Sequence, residues 1–392
     1  MIPRPDLLLY CQHSLGLGHL KRSWALAESL SREFRVVLAS GGAPPDGLDP
    51  PRGIDVIELP PLAQEPDGRL FVVGGRDSVD RVVTARTRML IDLYRRLRPH
   101  IVVIELFPFG RRKFHDEIVA LLEETRRPVR PIVATSVRDL LVQRGNQRQH
   151  DDRARALVDT YFDLVLVHTD PRFARLTDTF HPSRPIAAPV HHTGFVVGAG
   201  GVEQPAGRRA GILVSGGGGR FAERLYATAI DAHDRLGPAA PPMTVVTGPL
   251  CPADAVARVR EAASRSAGVR VETTIDDMCA AMRRAAVSVS QCGYNTALDI
   301  VRAGVPALVV PFDDNGDSEQ TDRATRLEHL DAVRVFRGGD AGALAAAIDG
   351  MRSFTPAPTS LDLNGGQRTA GILSAALRSR NARPGPSITR CV

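Results

Sequence analysis

The sequence predicts an α/β protein built from two similar doubly wound, Rossmann-like domains that face each other across a cleft. Short apolar runs of strand type alternate with helix-length segments along most of the chain, which is typical of parallel sheets covered by helices. With 392 residues, the chain is also too long for one ordinary core. In such sheets ligands bind beyond the carboxyl ends of the strands, so the cleft is the expected site.

The first domain is assigned to residues 1–197 and begins with a βαβ unit. This unit has a strand at 7–11, a glycine turn with Gly16 and Gly18, a helix at 20–31 and a strand at 34–40. Further strands are predicted at 101–105, 132–136 and 164–168, and helices at 79–97, 113–126 and 151–161.

The second domain repeats this alternation. A segment rich in Gly, Pro, Gln and Arg at 198–210 indicates a linker. The domain itself, 211–377, has predicted strands at 212–215, 244–247, 269–272, 287–290, 307–310 and 333–336. The last residues, 378–392, are rich in Arg, Pro and Ser, so we expect a flexible tail there.

Residue composition argues against several classes of protein. The net charge is +6, but the arginines are dispersed without interleaved aromatic residues, so we expect no nucleic acid partner. The five cysteines have no paired spacing, so neither a disulfide framework nor a zinc site is expected. Because no signal peptide and no apolar stretch of about 20 residues is recognisable, we expect a cytoplasmic protein.

Common cofactor motifs do not fit the chain. The first glycine turn lacks the dinucleotide-binding pattern, because Lys21 stands where its third glycine would be. Neither lysine follows a glycine as in a phosphate-binding NTPase loop. The acidic run at 313–317 lacks the spacing of a calcium loop. We therefore expect neither a metal ion nor a cofactor.

A run of glycines lies between a predicted strand and a predicted helix. Glycine lets a backbone approach a phosphate closely, and a helix N-terminus favours anionic oxygens. A flexible turn has the same composition, but the position at the carboxyl end of a strand favours a ligand. The candidate donor-binding residues here are Ser215, Gly216, Gly217, Gly218, Gly219 and Arg220.

Residues 287–324 are the most informative part of the chain. They predict a strand, a turn containing Gly293, Asn295 and Thr296, a helix, and then a second strand and helix. Two parallel strands of this kind direct their carboxyl ends at one crevice.

Three polar residues follow these strands. Asp299 lies in the first helix, where a carboxylate can accept two hydrogen bonds from a vicinal diol such as ribose. A solvated or helix-stabilising acid is the alternative. Glu319 and Gln320 open the next helix and are candidates for binding sugar hydroxyls.

Taken in order, these motifs resemble those of GT-B glycosyltransferases. The closest resemblance is to the bacterial family that adds N-acetylglucosamine from UDP-N-acetylglucosamine to the muramoyl lipid of peptidoglycan synthesis. The resemblance covers most of the chain and is sharpest in the second half. Its parts are a uracil loop at 274–278, a ribose helix at 290–304, a sugar-contacting helix start at 317–324, a diphosphate loop at 215–219 and a histidine, His19, in the first glycine turn.

The resemblance implies a role for each matching residue. Ile275, with Met278 in the same loop, would bind the uracil, and Asp299 would bind the ribose hydroxyls. Glu319 and Gln320 would hold the sugar. The glycines at 216–219 would meet the diphosphate. A metal-independent, inverting transfer of a hexose or N-acetylhexosamine from a UDP-sugar is the implied activity, with main-chain amides stabilising the leaving diphosphate.

His19 is the candidate general base, because a histidine pKa near 6.5 suits proton abstraction around neutral pH. A structural turn histidine is the alternative. Glu105 and Asp139 follow first-domain strands and are candidate catalytic acids that orient His19 or an acceptor. Structural ion pairs with Arg111 or Arg138 would explain the same two acids.

The expected partners are a nucleotide-sugar donor and an acceptor that is a sugar, an aglycone or a lipid-linked molecule bound by the first domain. Weak peripheral membrane contact stays open. Two other functions fit the same motifs: a GT-B epimerase or hydrolase that acts on the sugar nucleotide without an acceptor, and a non-catalytic nucleotide or nucleic acid binder. UDP release that requires an added acceptor would favour a transferase over an epimerase or hydrolase. An affinity for nucleic acid that depends strongly on salt would favour the non-catalytic binder.

Overall fold

The structure is a computed structural model that describes residues 4–13, 17–45, 48–65, 68–127, 129–143, 145–198, 200, 207–312 and 318–382. Two parallel sheets with helices packed on them form two Rossmann-like domains, which confirms the predicted fold class.

The first sheet has seven strands, all parallel. In chain order the strands of this domain are β1 (Asp6–Cys11), β2 (Arg35–Ser40), β3 (Asp55–Glu58), β4 (Leu62–Gln64), β5 (Leu70–Val72), β6 (Ile101–Glu105), β7 (Ile132–Val137), β8 (Leu164–Val167) and β9 (Val190–His192). The sheet order is β3-β2-β1-β6-β7-β8-β9, and β4 and β5 form a separate antiparallel pair. Strands β6 and β7 are buried throughout, because both faces of a parallel sheet are covered by helices.

The helices of the first domain are α1 (Gly18–Leu30), α2 (Val79–Leu97), α3 (His115–Glu124) and α4 (Gln147–Tyr161). The α2 helix has the predicted bounds because the local chemistry marks both ends. The Ser78 side chain accepts a hydrogen bond from the Arg81 N–H at the start, and Arg98 in the left-handed conformation ends the helix. Strands β3, β4, β5 and β9 were not predicted from the sequence, because they are short and only partly buried.

The second sheet has six parallel strands in the order β12-β11-β10-β13-β14-β15. These strands are β10 (Ile212–Ser215), β11 (Met243–Val246), β12 (Val269–Glu272), β13 (Val287–Ser290), β14 (Ala307–Val309) and β15 (Arg334–Val335). The helices that follow them are α5 (Glu223–Arg235), α6 (Ala253–Ser264), α7 (Met278–Arg284), α8 (Tyr294–Ala303), α9 (Glu319–His329), α10 (Ala341–Gly350) and α11 (Gly365–Asn381).

The last helix returns to the first domain. Ala370 and Leu373 of α11 are buried in the same apolar cluster as Trp24 of α1. Residues 378–381, predicted as part of a flexible tail, continue this helix instead. The helix continues because its apolar face is packed against the first domain and because the positive charges of Arg378 and Arg380 stabilise the C-terminal end of the helix. Residues 383–392 of the predicted tail lie outside the described residues, as do 199 and 201–206 of the predicted linker.

Candidate active site

The candidate site lies where the strand order of each sheet reverses. In the first sheet β1 lies between β2 and β6, and in the second β10 lies between β11 and β13. The connections leave such a point in opposite directions, which opens a crevice at the carboxyl ends of the strands. His19 follows β1 and Glu105 ends β6, while the glycine tract follows β10 and Gly293 follows β13.

The glycine tract forms a turn that other residues would not fit. Gly217 and Gly219 have φ angles of 62° and 88°, a region that residues with a Cβ rarely adopt. A Cβ on Gly216 would lie 2.1 Å from the Ala222 Cβ, and one on Gly219 would lie 1.8 Å from the Thr247 carbonyl oxygen. Packing and backbone conformation therefore both require glycine in this turn. Ser215, just before it, is buried at the end of β10.

The start of α1 touches both parts of the predicted donor site. A Cβ on Gly218 would lie 3.8 Å from the backbone nitrogen of Leu17. The Asn295 side chain of α8 donates a hydrogen bond of 3.2 Å to the Gly18 carbonyl oxygen. His19 is the next residue, so it lies beside the loops predicted to hold the donor. Of the two glycines predicted as a phosphate turn, Gly16 lies outside the described residues.

The N-terminus of α8 faces the same region. Gly293 is its N-cap, and its first turn carries no acidic residue and no side-chain cap. Thr296 in this turn is buried, and its Oγ1 would lie 3.4 Å from a Cβ on Gly217. Uncapped amides and the helix dipole favour an anion here, so the geometry agrees with the predicted diphosphate position.

Asp299 lies one turn further along α8, with its side chain 26% exposed and 3.9 Å from the Arg302 guanidinium. Burial raises the pKa of Asp299 to about 6, and the positive charges of Arg302 and of Lys21 from the first domain oppose this shift. The Asp299 side chain is therefore only partly hydrated. At neutral pH, above this pKa, most of it is ionised. Its role in binding ribose stays a prediction.

His19 is held by Glu105. The His19 Nδ1 and Glu105 Oε1 atoms are 2.6 Å apart, so Nδ1–H is assigned as the donor and Nε2 carries the free lone pair. Burial and the nearby Arg111 lower the pKa of His19 to about 3, although Glu105 opposes this shift. His19 is therefore neutral near pH 7, which is the form that accepts a proton. Its pKa lies well below the value of about 6.5 on which the prediction relied, so that reason for the assignment is wrong and the imidazole is a weaker base than expected.

Two arginines balance the charge of Glu105. Arg22 forms a salt bridge with Oε1, and Arg111 Nη2 lies 3.1 Å from Oε2. Burial alone would raise the pKa of Glu105, but contacts with His19, Arg111 and Arg22 lower it well below its usual range. Glu105 is thus ion-paired with Arg111, as the structural alternative predicted, and it also contacts the candidate base. Its catalytic role stays a prediction.

Asp139 belongs to a different group of charges. Its two carboxylate oxygens accept hydrogen bonds of 2.7 and 2.8 Å from Arg323 of α9. Arg323 also donates to Glu319 at 2.6 Å, and Glu319 forms a salt bridge with Arg138. We call Arg138, Asp139, Glu319 and Arg323 the interdomain cluster.

The interdomain cluster changes the interpretation of two candidate residues. Asp139 was predicted as a catalytic acid or an ion-paired residue, and the structure places it in an ion pair with Arg323 rather than with Arg138. Glu319 was predicted to hold the sugar, but both of its oxygens contact arginines. A buried carboxylate needs such compensation, because an unpaired charge is costly in the interior.

Two further donor-site candidates make contacts within the protein. The Gln320 Oε1 atom accepts hydrogen bonds from the backbone N–H groups of Cys292 at 3.0 Å and Phe312 at 3.2 Å. It therefore links the loops that follow β13 and β14. The Arg220 Nη1 atom donates at 3.2 Å to the carbonyl oxygen of Gln64 in the first domain, so this guanidinium bridges the cleft.

The predicted uracil loop leads into α7. Met278 is the first residue of that helix, and the Asp277 side chain caps it by accepting from the Ala280 N–H at 2.9 Å. Ile275 and Met278 are partly buried against the apolar cluster of the second domain. A contact of the Ile275 backbone with uracil stays a prediction.

Sequence reasoning missed Arg22, Arg323 and Tyr294. Arg22 follows His19 by three positions and Arg323 follows Glu319 by four, spacings that bring side chains together on one helix face. The Tyr294 ring centre lies 5.4 Å from the Arg22 Cζ and 6.0 Å from the Arg323 Cζ. No sequence signal marks this tyrosine as the residue between the two charge clusters.

Within the described ranges, no group of three or more His, Cys, Asp or Glu side chains is placed to hold a metal ion. Of the helices described, none has the length and apolar character needed to cross a membrane. The metal-independent reaction and the cytoplasmic location stay predictions.

Residues 212–364 match the glycosyltransferase family 28 C-terminal domain. The matched segment contains the glycine tract, α8 and the start of α9, so all the predicted donor-binding residues lie inside it.

A curated relative from Thiobacillus denitrificans is similar to this chain over a shorter segment. It is named as a UDP-N-acetylglucosamine--N-acetylmuramyl-(pentapeptide) pyrophosphoryl-undecaprenol N-acetylglucosamine transferase and is 36% identical over 91 residues. The match covers 23% of this chain and spans 25% of the relative's length.

Solved structures resemble nearly the whole chain and not only the matched segment. The calicheamicin glycosyltransferase CalG4 aligns with a TM-score of 0.58 at 16% identity, covering 98% of this chain and 100% of CalG4. Acinetobacter baumannii MurG aligns with a TM-score of 0.57 at 15% identity, covering 95% and 100%. At these identities the likeness concerns the fold, and it confirms the predicted GT-B architecture.

Proposed function

We propose that this protein is a glycosyltransferase that moves a hexose or an N-acetylhexosamine from a UDP-sugar to an acceptor hydroxyl. The observation that carries the proposal is the position of His19. This neutral, Glu105-bonded histidine begins α1 where α1 meets the glycine tract and α8. A base on one domain thus adjoins a predicted diphosphate cradle on the other.

The reaction proposed is an inverting transfer. The Nε2 atom of His19 takes the proton of the acceptor hydroxyl, and the hydroxyl oxygen attacks the anomeric carbon. The bond between that carbon and the diphosphate oxygen breaks, and UDP leaves from the opposite face. Glu105 stabilises the imidazolium that forms, as a carboxylate does in other histidine-based sites.

The leaving diphosphate gains negative charge as the bond breaks. The amides of the glycine tract and the uncapped N-terminus of α8 are fixed dipoles that favour this charge. They would do so without a metal ion, which is the reason for proposing a metal-independent reaction. The family 28 match and the transferase activity for which the Thiobacillus denitrificans relative is named support a UDP-sugar as the donor.

UDP binding and acceptor-dependent turnover test the proposal. UDP is expected to raise the melting temperature, since a ligand that binds only the folded state stabilises it. UDP-glucose and UDP-N-acetylglucosamine are then incubated with and without a panel of acceptors, and released UDP is measured. Release that needs an acceptor supports transfer. Turnover without one would assign a hydrolase or epimerase, and no effect of millimolar UDP on melting would reject the donor class.

A further inference from the structure

A groove in the first domain is not used by the reaction described above. It has a volume of about 550 Å³ and lies between the start of α3 and the first half of α4. Its apolar floor includes Phe107, Pro108, Ala154 and Leu157. Its rim carries the cations Arg112, Lys113 and Arg153, with His115, Asp116, Asn146 and His150 beside them.

The rim has an excess of positive charge. Arg112, Lys113 and Arg153 are exposed, and within the part of the chain that the structure describes none of the three forms a salt bridge. The Asp116 carboxylate is 3.0 Å from His115 Nδ1. The N-terminus of α4 also opens at this rim, with no acidic residue and no side-chain cap in its first turn, and a helix N-terminus adds to the attraction for an anion. The first turn of α3 carries Asp116 and Glu117 and adds no such attraction.

The groove is continuous with the loop that holds the candidate base. Glu105 ends β6, and Phe107 follows it by two positions. Arg111 contacts Glu105, and Arg112 is the next residue. A hydrogen bond of 2.7 Å from the Thr135 hydroxyl to the Phe107 carbonyl oxygen fixes this loop. The segment from Glu105 to Arg112 therefore forms one wall of the groove and also contains Glu105 and Arg111, which lie next to His19.

We propose that this groove binds the phosphate group of a small phosphorylated acceptor, with the apolar part of that acceptor against Ala156 and Leu157, the apolar lining residues that are not buried. The inference rests on the proposed function in that the bound molecule is the acceptor. Arg112 and Lys113 line the groove from one side and Arg153 of α4 from the other. Charge-assisted hydrogen bonds from arginine and lysine are the usual means of holding a phosphate.

Other anionic partners fit the groove less well. Base stacking on a nucleic acid needs exposed aromatic rings, and Phe107 in the floor is only 1% exposed. Insertion into a lipid bilayer needs protruding apolar side chains. The large apolar side chains that are exposed among the described residues lie outside the groove, and they are Met89, Val129, Val190, Phe221 and Leu330.

The test uses phenyl phosphate as the probe and phenol as its neutral counterpart, with the full-length protein saturated with UDP to block the diphosphate cradle. Titration calorimetry is expected to detect binding of phenyl phosphate and none of phenol. A variant with Arg112→Gln, Lys113→Gln and Arg153→Gln should bind phenyl phosphate at least about tenfold more weakly.

The matched control changes the net charge equally at exposed sites away from the groove, with Arg32→Gln, Arg52→Gln and Arg88→Gln. This control should keep its affinity for phenyl phosphate within about twofold. Equal affinity in the groove variant, or an equal loss in the control, would overturn the proposal. Thermal protection by UDP, measured on all three proteins, reports the proposed function separately, because it does not involve the groove.

A sedimentation experiment with lipid vesicles tests whether the groove binds a membrane surface instead of a small acceptor. Vesicles of pure phosphatidylcholine, and vesicles that also contain phosphatidylglycerol, are sedimented with each protein. If the groove variant loses binding to the anionic vesicles while phenyl phosphate binds to neither protein, the groove contacts a lipid surface and the proposal is wrong.

Discussion

The candidate site has a backbone half in the second domain and a side-chain half in the first. The second-domain half is the glycine tract with the N-terminus of α8, where packing and positive φ angles require glycine. The first-domain half is His19 with Glu105 and its two arginines, all placed by buried charge interactions. Backbone sites tolerate little change in residue size, whereas charge networks tolerate little change in protonation or pairing. The two halves should therefore fail in different ways.

The largest effect is expected from His19→Ala. Loss of a general base typically lowers turnover by about 10²- to 10⁴-fold, and UDP affinity should change little because the cradle is in the other domain. Steady-state kinetics and titration with UDP measure both quantities. The exposed His329→Gln variant is the control. Near-normal turnover in His19→Ala would remove the first-domain half from the chemistry.

Breaking the interdomain cluster should mainly reduce stability. Asp139→Asn leaves the buried Arg323 without its bidentate partner, and loss of one member of a buried ion pair costs about 3 to 5 kcal/mol. Denaturant unfolding measures the change. Glu261→Gln, which removes the exposed pair with Arg265, should have little effect. A loss of turnover with unchanged stability would instead return Asp139 to the catalytic group.

Gly219→Ala tests the backbone half. The added Cβ would clash with the Thr247 carbonyl oxygen and require an unfavourable positive φ, so a cost of about 1 to 3 kcal/mol is expected. UDP affinity should fall about tenfold because the turn must shift. Gly350→Ala, with open space around it, is the control. Unchanged UDP affinity in Gly219→Ala would place the diphosphate elsewhere.

The smallest effect is a pH dependence of nucleoside binding. The pKa of Asp299 is raised to about 6 by burial, so the group is a carboxylate above that pH and an acid below it. A carboxylate is the stronger hydrogen-bond acceptor, so uridine affinity should fall several-fold as the pH drops through this value. Uridine has no phosphate that titrates in this range. Asp299→Asn should abolish the dependence, and a flat profile in the unmodified protein would contradict the ribose role.

The sequence predicts the second-domain half better than the first for a physical reason. A backbone position that requires glycine has glycine at that position in the sequence, so the tract at 216–219 can be recognised directly. The order of strands and helices is also local, and α2 was predicted with its observed bounds. The two Rossmann-like domains followed from this alternation, and the GT-B assignment followed from the resemblance of the spaced motifs to a known family.

Partner choice among buried charges is not local. Arg323 and Asp139 are separated by 184 positions, and nothing in the sequence near Asp139 favours Arg323 over Arg138. Glu319 and Gln320 likewise look free in the sequence, but tertiary packing directs them to Arg323 and to the backbone of Cys292. Their contacts within the protein are therefore findings of the structure, and their role in binding the sugar stays a prediction.

The return of the chain to the first domain restricts how the two domains can move. Val196 forms an antiparallel bridge with Asn364, and the Phe195 N–H and carbonyl oxygen bond to Asp362 and Gly365. The segments around residues 195–196 and 362–365 thus form a short hydrogen-bonded pair of strands between the domains. Such a pair bends more readily than its two strands slide past each other, so we expect the cleft to open by a hinge motion about this pair rather than by a shear motion.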